Sequence, residues 1–358
     1  MPPRRHLGLV DALATVAPGQ PLREGLDRIL QANMGALIVV GDGPEVLAIC
    51  SGGFLLDAEF SPQRLSELAK MDGAIILASD ASRIARANVH LVPNPNVPTS
   101  ETGTRHRTAE RVARSITGVP VVSVSEDMKS IAVYYGEIKH PVEGSPRLLG
   151  RANSALATLE RYKNRLDNVS SSLAALEVED LVTARDVVTV LQRMEMVRRI
   201  AEEVHGYIVE LGTDGRLVRL QLEELMGGVE DDRRLVIKDY FHTAESWRLP
   251  EAMNALGDLT TDEILDLGAV AAVLHLPGDP ADLDTSLEPR GYRLLARVPR
   301  LPDAVVDRIV ERFSTLHKVL RASVPDLEEV EGVGETRANA IEEALKRLAE
   351  TSILDRYG

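Results

Sequence analysis

The chain has 358 residues and a mass of 39.0 kDa, more than one hydrophobic core usually serves, so two or three domains are expected. Hydrophobic residues at 44% and charged residues at 27% exclude a disordered, collagen-like or fibrous chain. A net charge of −14 argues against a generic nucleic-acid binder, no apolar run approaches the ~20 residues of a membrane span, and the single Cys50 permits neither an internal disulfide nor a Cys-based zinc site.

At the N-terminus, Arg4 and Arg5 precede only Leu7 to Val10 before Asp11, short of the ~7 to 15 apolar residues of an export signal. A cytoplasmic protein is predicted. The acidity is uneven. Residues 1 to 140 hold 14 Lys+Arg against 15 Asp+Glu and residues 291 to 358 hold 11 against 12, leaving 16 against 28 for the middle.

Short β-rich runs at Ala36 to Val40, Val46 to Cys50, Ala74 to Ala78, Ala87 to Val92, Val119 to Val124 and Ile131 to Tyr135 predict strands. Helical patterns at Pro62 to Lys70 and Arg107 to Thr117 lie between some of them, so an α/β domain with a mixed central sheet is expected over residues 1–140. Gly41-Asp-Gly43 and Ser51-Gly-Gly53 read as turns flanking a strand. From Leu149 the period changes to threes and fours, ending at Leu176, and a second stripe runs from Val187 to Leu211 with Gly212 as its cap. These stripes predict an all-α helical spine over residues 141–290, with an Asp-, Pro- and Gly-rich linker near 279–291. Beyond it, Leu295, Val298, Leu301, Val306 and Ile309 recur as Leu327, Val330, Val333, Ala338 and Ile341, so residues 291–358 read as two copies of one small helical unit.

Three clusters carry chemistry. The segment Glu101 to Glu110 opens a helix that Thr102 or Thr104 can cap, and a helix N-terminus offers free N–H groups and partial positive charge. Arg105 and Arg107 add guanidinium forks suited to phosphate, and His106 adds a donor when protonated or suitably oriented. The plainer alternative is solvated arginines paired with Glu101 and Glu110. Asp72-Gly73 stands before a strand, where its carboxylate is either part of a turn or a divalent-metal ligand beside a phosphate. In Leu327 to Ala338, Gly332-Val333-Gly334 makes a tight turn whose N–H groups suit a DNA phosphate. The earlier copy has Arg300 and Pro302 where that turn has its glycines, so it is expected not to present the same backbone. Trp247 and His275 suggest core or surface roles, and Cys50 a buried small hydrophobe.

Met71-Asp-Gly-Ala74, Ala87 to Pro93 and Gly103 to Arg111 together resemble the diadenylate cyclase domain, and with the spine and the C-terminal helix-hairpin-helix pattern the whole chain resembles the DisA family. That resemblance implies condensation of two ATP molecules into cyclic di-AMP with release of two pyrophosphates. It assigns Asp72 as the catalytic, metal-associated carboxylate, with magnesium or manganese as the metal. Gly73, Leu91, Thr104, Arg105, His106, Arg107, Thr108 and, by position only, Ser125 would bind ATP. It further implies DNA contact by Gly332, Val333, Gly334, Arg337 and Arg300, modulation by branched or junction DNA, and a homo-octamer with cyclase domains face to face. A non-catalytic ATP-binding DNA scaffold and a DNA-repair factor are the rival readings.

Overall fold

The computed structural model describes residues 7–241, 249–276, 279 and 282–357; Arg4, Arg5 and Trp247 lie outside them. The chain divides into two compact units, Met1–Ala155 with Glu203–Gln221, and Leu156–Glu202 with Leu222–Gly358.

The first unit contains α1 (Leu7–Thr15), α2 (Pro21–Gln31), β1 (Ala36–Val40), α3 (Pro44–Ala48), β2 (Cys50–Ser51), β3 (Phe54–Glu59) and α4 (Pro62–Leu68). It continues with β4 (Ala74–Leu77), β5 (Arg83–Leu91), α5 (Thr104–Ser115), β6 (Val121–Ser125), β7 (Ser130–Tyr135) and β8 (Ile138–Val142). The sheet order is β2-β5-β4-β1-β6-β7-β8, with β3 also on β5. Strands β1 and β4 pair in parallel and the remaining pairs are antiparallel, a mixed sheet as expected.

Alternation along the strands builds a core on each face. Ala36, Ile38 and Val40 of β1 join Ile75 and Leu77 of β4 under Leu13, Leu26 and Ile29 of α1 and α2. Leu37 and Val39 turn the other way, with Ala74 and Ile76, against Ala109, Val112 and Ala113 of α5. Each fully buried Leu or Ile stabilises by about 1.5–3 kcal/mol. Strand β5 breaks the alternation: its register against β4 slips once between Ile84 and Arg86 and again between Arg86 and Val89. Accordingly Ile84 and Ala87 face the α1–α2 side, while Ala85, Val89 and Leu91 face α5. Asn88 marks the second bulge with φ of 53°.

Where a strand was expected over Val46 to Cys50, the chain forms α3 and the two-residue β2. Gly43 is the N-cap and Pro44 stands at the first turn, where its missing N–H costs nothing. The two glycine turns therefore flank a helix. Cys50 is half-buried rather than buried, its Sγ donating to the Val46 carbonyl at 3.2 Å.

Helix α6 (Ser145–Glu179) and helix α7 (Ala184–Leu211) follow the two predicted stripes, and Gly212 takes a φ of 52° after α7. Then come α8 (Arg216–Met226), α9 (Val229–Tyr240), α10 (Leu249–Asp258), α11 (Leu267–Val273), α12 (Tyr292–Ala296), α13 (Asp303–Phe313), α14 (Leu316–Arg321), α15 (Val324–Glu328) and α16 (Glu335–Tyr357). After β8 the elements among the described residues are all helices, as expected, and only an isolated bridge between Thr183 and Ser286 departs from this. The segment read as a linker is not free: the Leu283 and Thr285 carbonyls accept from Arg185 and Ala184, and the Leu287 N–H donates to Val182.

Deep in the second unit lies an ionic cluster. Arg293 donates to Glu177 at 2.7 Å, Tyr240 donates to the same oxygen at 2.6 Å, and Asp239 accepts the N–H groups of Gly291, Tyr292 and Arg293. The Asp239 carboxylate thus caps α12, whose own N-cap, Gly291, has no side chain to do so.

The repeat offset by 32 residues is carried into the backbone. Val330 and Val333 donate to Leu327 and Val330, as Val298 and Leu301 donate to Leu295 and Val298. Ala338 donates to Gly334 as Val306 does to Pro302. Arg300 takes the left-handed conformation of Gly332, with φ of 60° against 89°, so the first turn keeps the shape of the second, while Pro302 still offers no N–H where Gly334 has one. Pro302 fits because its φ of −67° suits an N-cap position.

Candidate functional site

Register brings the candidate residues to one end of the sheet. Strands β1 and β4 are parallel with Leu37 opposite Ala74, so Gly35 and Asp72, two residues earlier in each, leave the sheet together. Val124 of β6 pairs with Ala36 and Val89 of β5 with Ala74, which puts Ser125 and Leu91 at that same end. Helix α5 starts there as well: Arg105 donates toward the Val124 carbonyl at 3.4 Å, and its guanidinium lies across Gly35. Adjacent strands are ~4.8 Å apart, so the Asp72 turn is one strand away from the Arg105 head group.

Neither Thr102 nor Thr104 caps α5. The N-cap is Gly103, with no side-chain bond to the first turn, so the N–H groups there stay open to an anion. Thr104 and Arg107 are exposed, and the Thr108 hydroxyl donates back to the Thr104 carbonyl at 2.9 Å. The proposed pairing of arginines with Glu101 and Glu110 does not occur. Glu101 binds Lys139 at 2.5 Å, and Glu110 accepts the Thr99 hydroxyl, the Ser100 N–H and the Arg114 guanidinium. Among the described residues Arg105 and Arg107 have no carboxylate partner, so two cations stand at the positive end of a helix without compensation.

His106 is fixed from beneath. Its Nδ1 lies 3.0 Å from the Tyr134 hydroxyl and 3.2 Å from that of Ser123, and Tyr134 donates to Glu101 at 3.2 Å. Burial lowers the His106 pKa, Glu101 opposes this, and Lys139 and Arg105 add to it. Tyr134 and Ser123 are fully buried, and burial with the Glu101 charge raises the Tyr134 pKa.

Gly73 has φ of 99°, and a Cβ on it would lie 2.9 Å from the Asn88 carbonyl carbon, so only glycine lets the Asp72 turn press against β5. Asp72 itself is exposed. Leu91 is buried with its side chain in the α5-side core, and buried Ser125 accepts the Met128 N–H at 3.3 Å. Gly35, Ser123 and Tyr134 escape sequence reading because their roles depend on what packs over them. A cavity of about 780 Å³ lies elsewhere, lined by residues that include Asp42, Asp57, Glu59, Arg83 and Arg86. It includes none of these residues, and Arg83 is there engaged by Asp42 and Asp57.

In the C-terminal turn Gly332 has φ of 89°, Val333 is buried, and the Arg337 guanidinium donates to the Gly332 carbonyl. Arg300 is exposed. Two of the nearby acidic groups face arginines: Glu329 pairs with Arg312, and the Glu331 carboxylate lies 4.0 Å from Arg308, whose guanidinium donates to the Glu331 main-chain carbonyl at 2.8 Å. His275 is exposed. No described helix is long and apolar enough to cross a membrane.

Residues 23–138 match the family model described as "DisA bacterial checkpoint controller nucleotide-binding", and residues 142–282 match "DisA bacterial checkpoint controller linker region". The chain is 58% identical over 346 residues to the DNA integrity scanning protein DisA of Parafrankia sp. (strain EAN1pec), covering 96% of each protein. It is 56% identical over 354 residues to that of Streptomyces avermitilis, covering 98% of this chain and 94% of the relative, and 55% identical over 350 residues to that of Kineococcus radiotolerans, covering 98% and 97%. The chain belongs to the DisA family, with a nucleotide-binding domain of the diadenylate cyclase type.

Proposed function

We propose that this protein is a diadenylate cyclase that condenses two ATP molecules into cyclic di-AMP and two pyrophosphates. The observation that carries the reading is the uncompensated Arg105 and Arg107 at the open N-terminus of α5, at the same end of the sheet as Asp72. The 3′-oxygen of one ATP bonds to the α-phosphorus of the other, the bond to the β-phosphate oxygen breaks, and pyrophosphate leaves; a second, reciprocal step closes the ring. Arg105, Arg107 and the N–H groups of the first turn hold the phosphates, Thr104 and Thr108 line that turn, and Gly73, Leu91 and Ser125 border the nucleotide. Asp72 faces the hydroxyl and accepts its proton or holds the cation beside it.

The residues fit a divalent ion of the magnesium type. Asp72 is an exposed hard-oxygen donor, and among the described residues no group of three or more His, Cys, Asp or Glu forms a protein cage. Asp72 would hold such an ion by a single carboxylate, leaving its other positions to groups outside the protein. Bound there, Mg²⁺ or Mn²⁺ neutralises phosphate charge and acidifies the hydroxyl.

One nucleotide site per chain and a two-fold product require two copies face to face; family likeness extends this to an octamer. Residues 291–358 act as tandem helix-hairpin-helix units, with Gly332, Val333, Gly334, Arg337 and Arg300 contacting the phosphates of branched DNA, and binding there lowers cyclase output. The protein works in the cytoplasm.

Incubation of the full chain with ATP and Mg²⁺, followed by nucleotide chromatography, tests the reading. A cyclic dinucleotide that disappears in Asp72→Asn supports it. ATP bound but unchanged points to a DNA scaffold, and altered DNA strands to a repair factor. A four-way junction that leaves the rate unchanged removes the coupling.

A further inference from the structure

We infer that Tyr134 is a positioning residue that holds His106 in the Nδ1–H tautomer, so that Nε2 is the atom presented to nucleotide phosphates. The inference deepens the cyclase reading and rests on it for the identity of the ligand.

The argument follows protons along one chain of hydrogen bonds. Lys139 donates to Glu101 at 2.5 Å, so the Glu101 carboxylate is ionised and can only accept. Tyr134, 3.2 Å from the same oxygen, gives its proton to that charged acceptor in preference to a neutral ring nitrogen. The phenol oxygen is then left with lone pairs toward His106 Nδ1 at 3.0 Å, and that contact is attractive only if Nδ1 carries the hydrogen. Ser123, 3.2 Å from Nδ1, is compatible as a second acceptor. Were Nδ1 unprotonated, two lone pairs would face each other inside a core where Tyr134 is 1% exposed and Ser123 0%.

A neutral ring with hydrogen on Nδ1 has a bare lone pair on Nε2, which has no hydrogen-bond partner among the described residues. The carbon next to Nε2, Cδ2, lies on the Gly103 side, 3.7 Å from where a Cβ of that N-cap residue would be. A lone pair cannot bind phosphate, so His106 becomes a phosphate donor only by taking up a proton on Nε2 as the nucleotide arrives. The charged and titratable groups around the ring, Glu101, Lys139, Arg105 and Tyr134, together with burial, leave it less basic than an ordinary histidine, so the unliganded site starts neutral. Nucleotide binding is therefore linked to proton uptake, and affinity rises as pH falls from about 8 to about 6. Glu101 holds the proton of Tyr134, Tyr134 holds the ring, and the ring faces the ligand.

The test uses 3′-deoxy-ATP, which keeps the triphosphate but lacks the attacking hydroxyl, and the full-length protein labelled with ¹⁵N-histidine and sedimented for solid-state NMR. The His106 signals are identified by their loss in His106→Asn. In the unliganded protein above neutral pH, Nδ1 should carry the proton-bearing ¹⁵N shift and Nε2 the bare one. In Tyr134→Phe the phenol oxygen that accepts from Nδ1 is gone and Ser123, able to donate there, is the remaining partner, so the tautomer shifts toward Nε2–H. Affinity for 3′-deoxy-ATP then falls roughly tenfold, as with loss of the group that orients a ligating histidine, and its pH dependence flattens. A merely structural loss would lower affinity with the slope intact. Ser123→Ala, which leaves Tyr134 in place, keeps the wild-type tautomer and slope. Wild-type protein with hydrogen on Nε2, or Tyr134→Phe with tautomer and slope unchanged, overturns the inference. Failure of wild-type protein to bind 3′-deoxy-ATP would instead sink the cyclase reading, and the NMR result would still decide the role of Tyr134.

Discussion

The guanidinium of Arg105 lies so close over Gly35 that a Cβ on that glycine would fall 2.1 Å from Nη1. Gly35 is not in the left-handed region, so its backbone accepts any residue and the conflict is with Arg105 alone. Gly35→Ala should displace the guanidinium and weaken ATP binding by about tenfold, the value of one charge-assisted hydrogen bond. Melting temperature should fall only slightly. Calorimetric titration with ATP checks this, and unchanged affinity would mean that Arg105 does not touch the nucleotide.

Gly73→Ala combines two costs, a φ of 99° and a Cβ 2.9 Å from the Asn88 carbonyl carbon and 3.0 Å from Val89 backbone atoms. Together they should destabilise the first unit by about 1–3 kcal/mol and move the Asp72 turn. Urea unfolding monitored by circular dichroism should show a lower midpoint. A midpoint equal to wild type would mean that β5 yields without cost.

Glu110 gives a pH signature. Burial raises its pKa, but the Thr99 hydroxyl, the Ser100 N–H and Arg114 outweigh this and hold it below the ordinary value. A depressed carboxylate pKa contributes stability above the unfolded value of about 4.3, and that contribution is lost as pH falls through the folded value. Glu110→Gln should therefore melt below wild type at pH ~7, and the gap should close below pH ~4. A gap that is constant with pH would assign the loss to packing.

Arg293 and Glu177 form a buried pair in the second unit, with side chains 4% and 1% exposed. Arg293→Met leaves the Glu177 charge uncompensated and should destabilise by about 3–5 kcal/mol, whereas adding Glu177→Gln should restore part of it. A double-mutant cycle in urea measures the coupling. Additive losses would show that the two groups act separately.

Arg300 should contribute one phosphate contact. Arg300→Ala should lower the slope of log affinity against log salt by about one on four-way junctions and on linear duplex alike. Fluorescence anisotropy over a salt series reads it, and an unchanged slope removes the first hairpin from the interface.

The buried strands were legible because β1 and β4 are short continuous apolar runs and β6 and β7 are β-rich runs with only serines among their apolar residues, and the two long helices because their stripes step by threes and fours. Strand β3 was not: Phe54, Leu55 and Leu56 are exposed in succession, so the alternation that betrays a half-buried strand is missing. Val46 to Ile49 has strand-like composition, and Pro44 decided for a helix. At the site, Asp72 and the three residues from Arg105 to Arg107 were readable from charge and local motif. Gly35 and Tyr134 were not, because one matters for an arginine 70 positions away and the other for the proton it gives up to Glu101. Arg300 misled for a further reason. Its left-handed backbone is imposed by the packed repeat around it, against the preference of the residue itself.

The two bulges of β5 cancel in parity. Removing Asn88 alone would make Ala87 and Val89 chain neighbours on opposite faces, as ordinary pleating requires, so Val89 and Leu91 would keep their side and only the local bend against which Gly73 rests would go. Deleting one residue from each bulge would shorten the strand yet leave both side chains aimed as they are now.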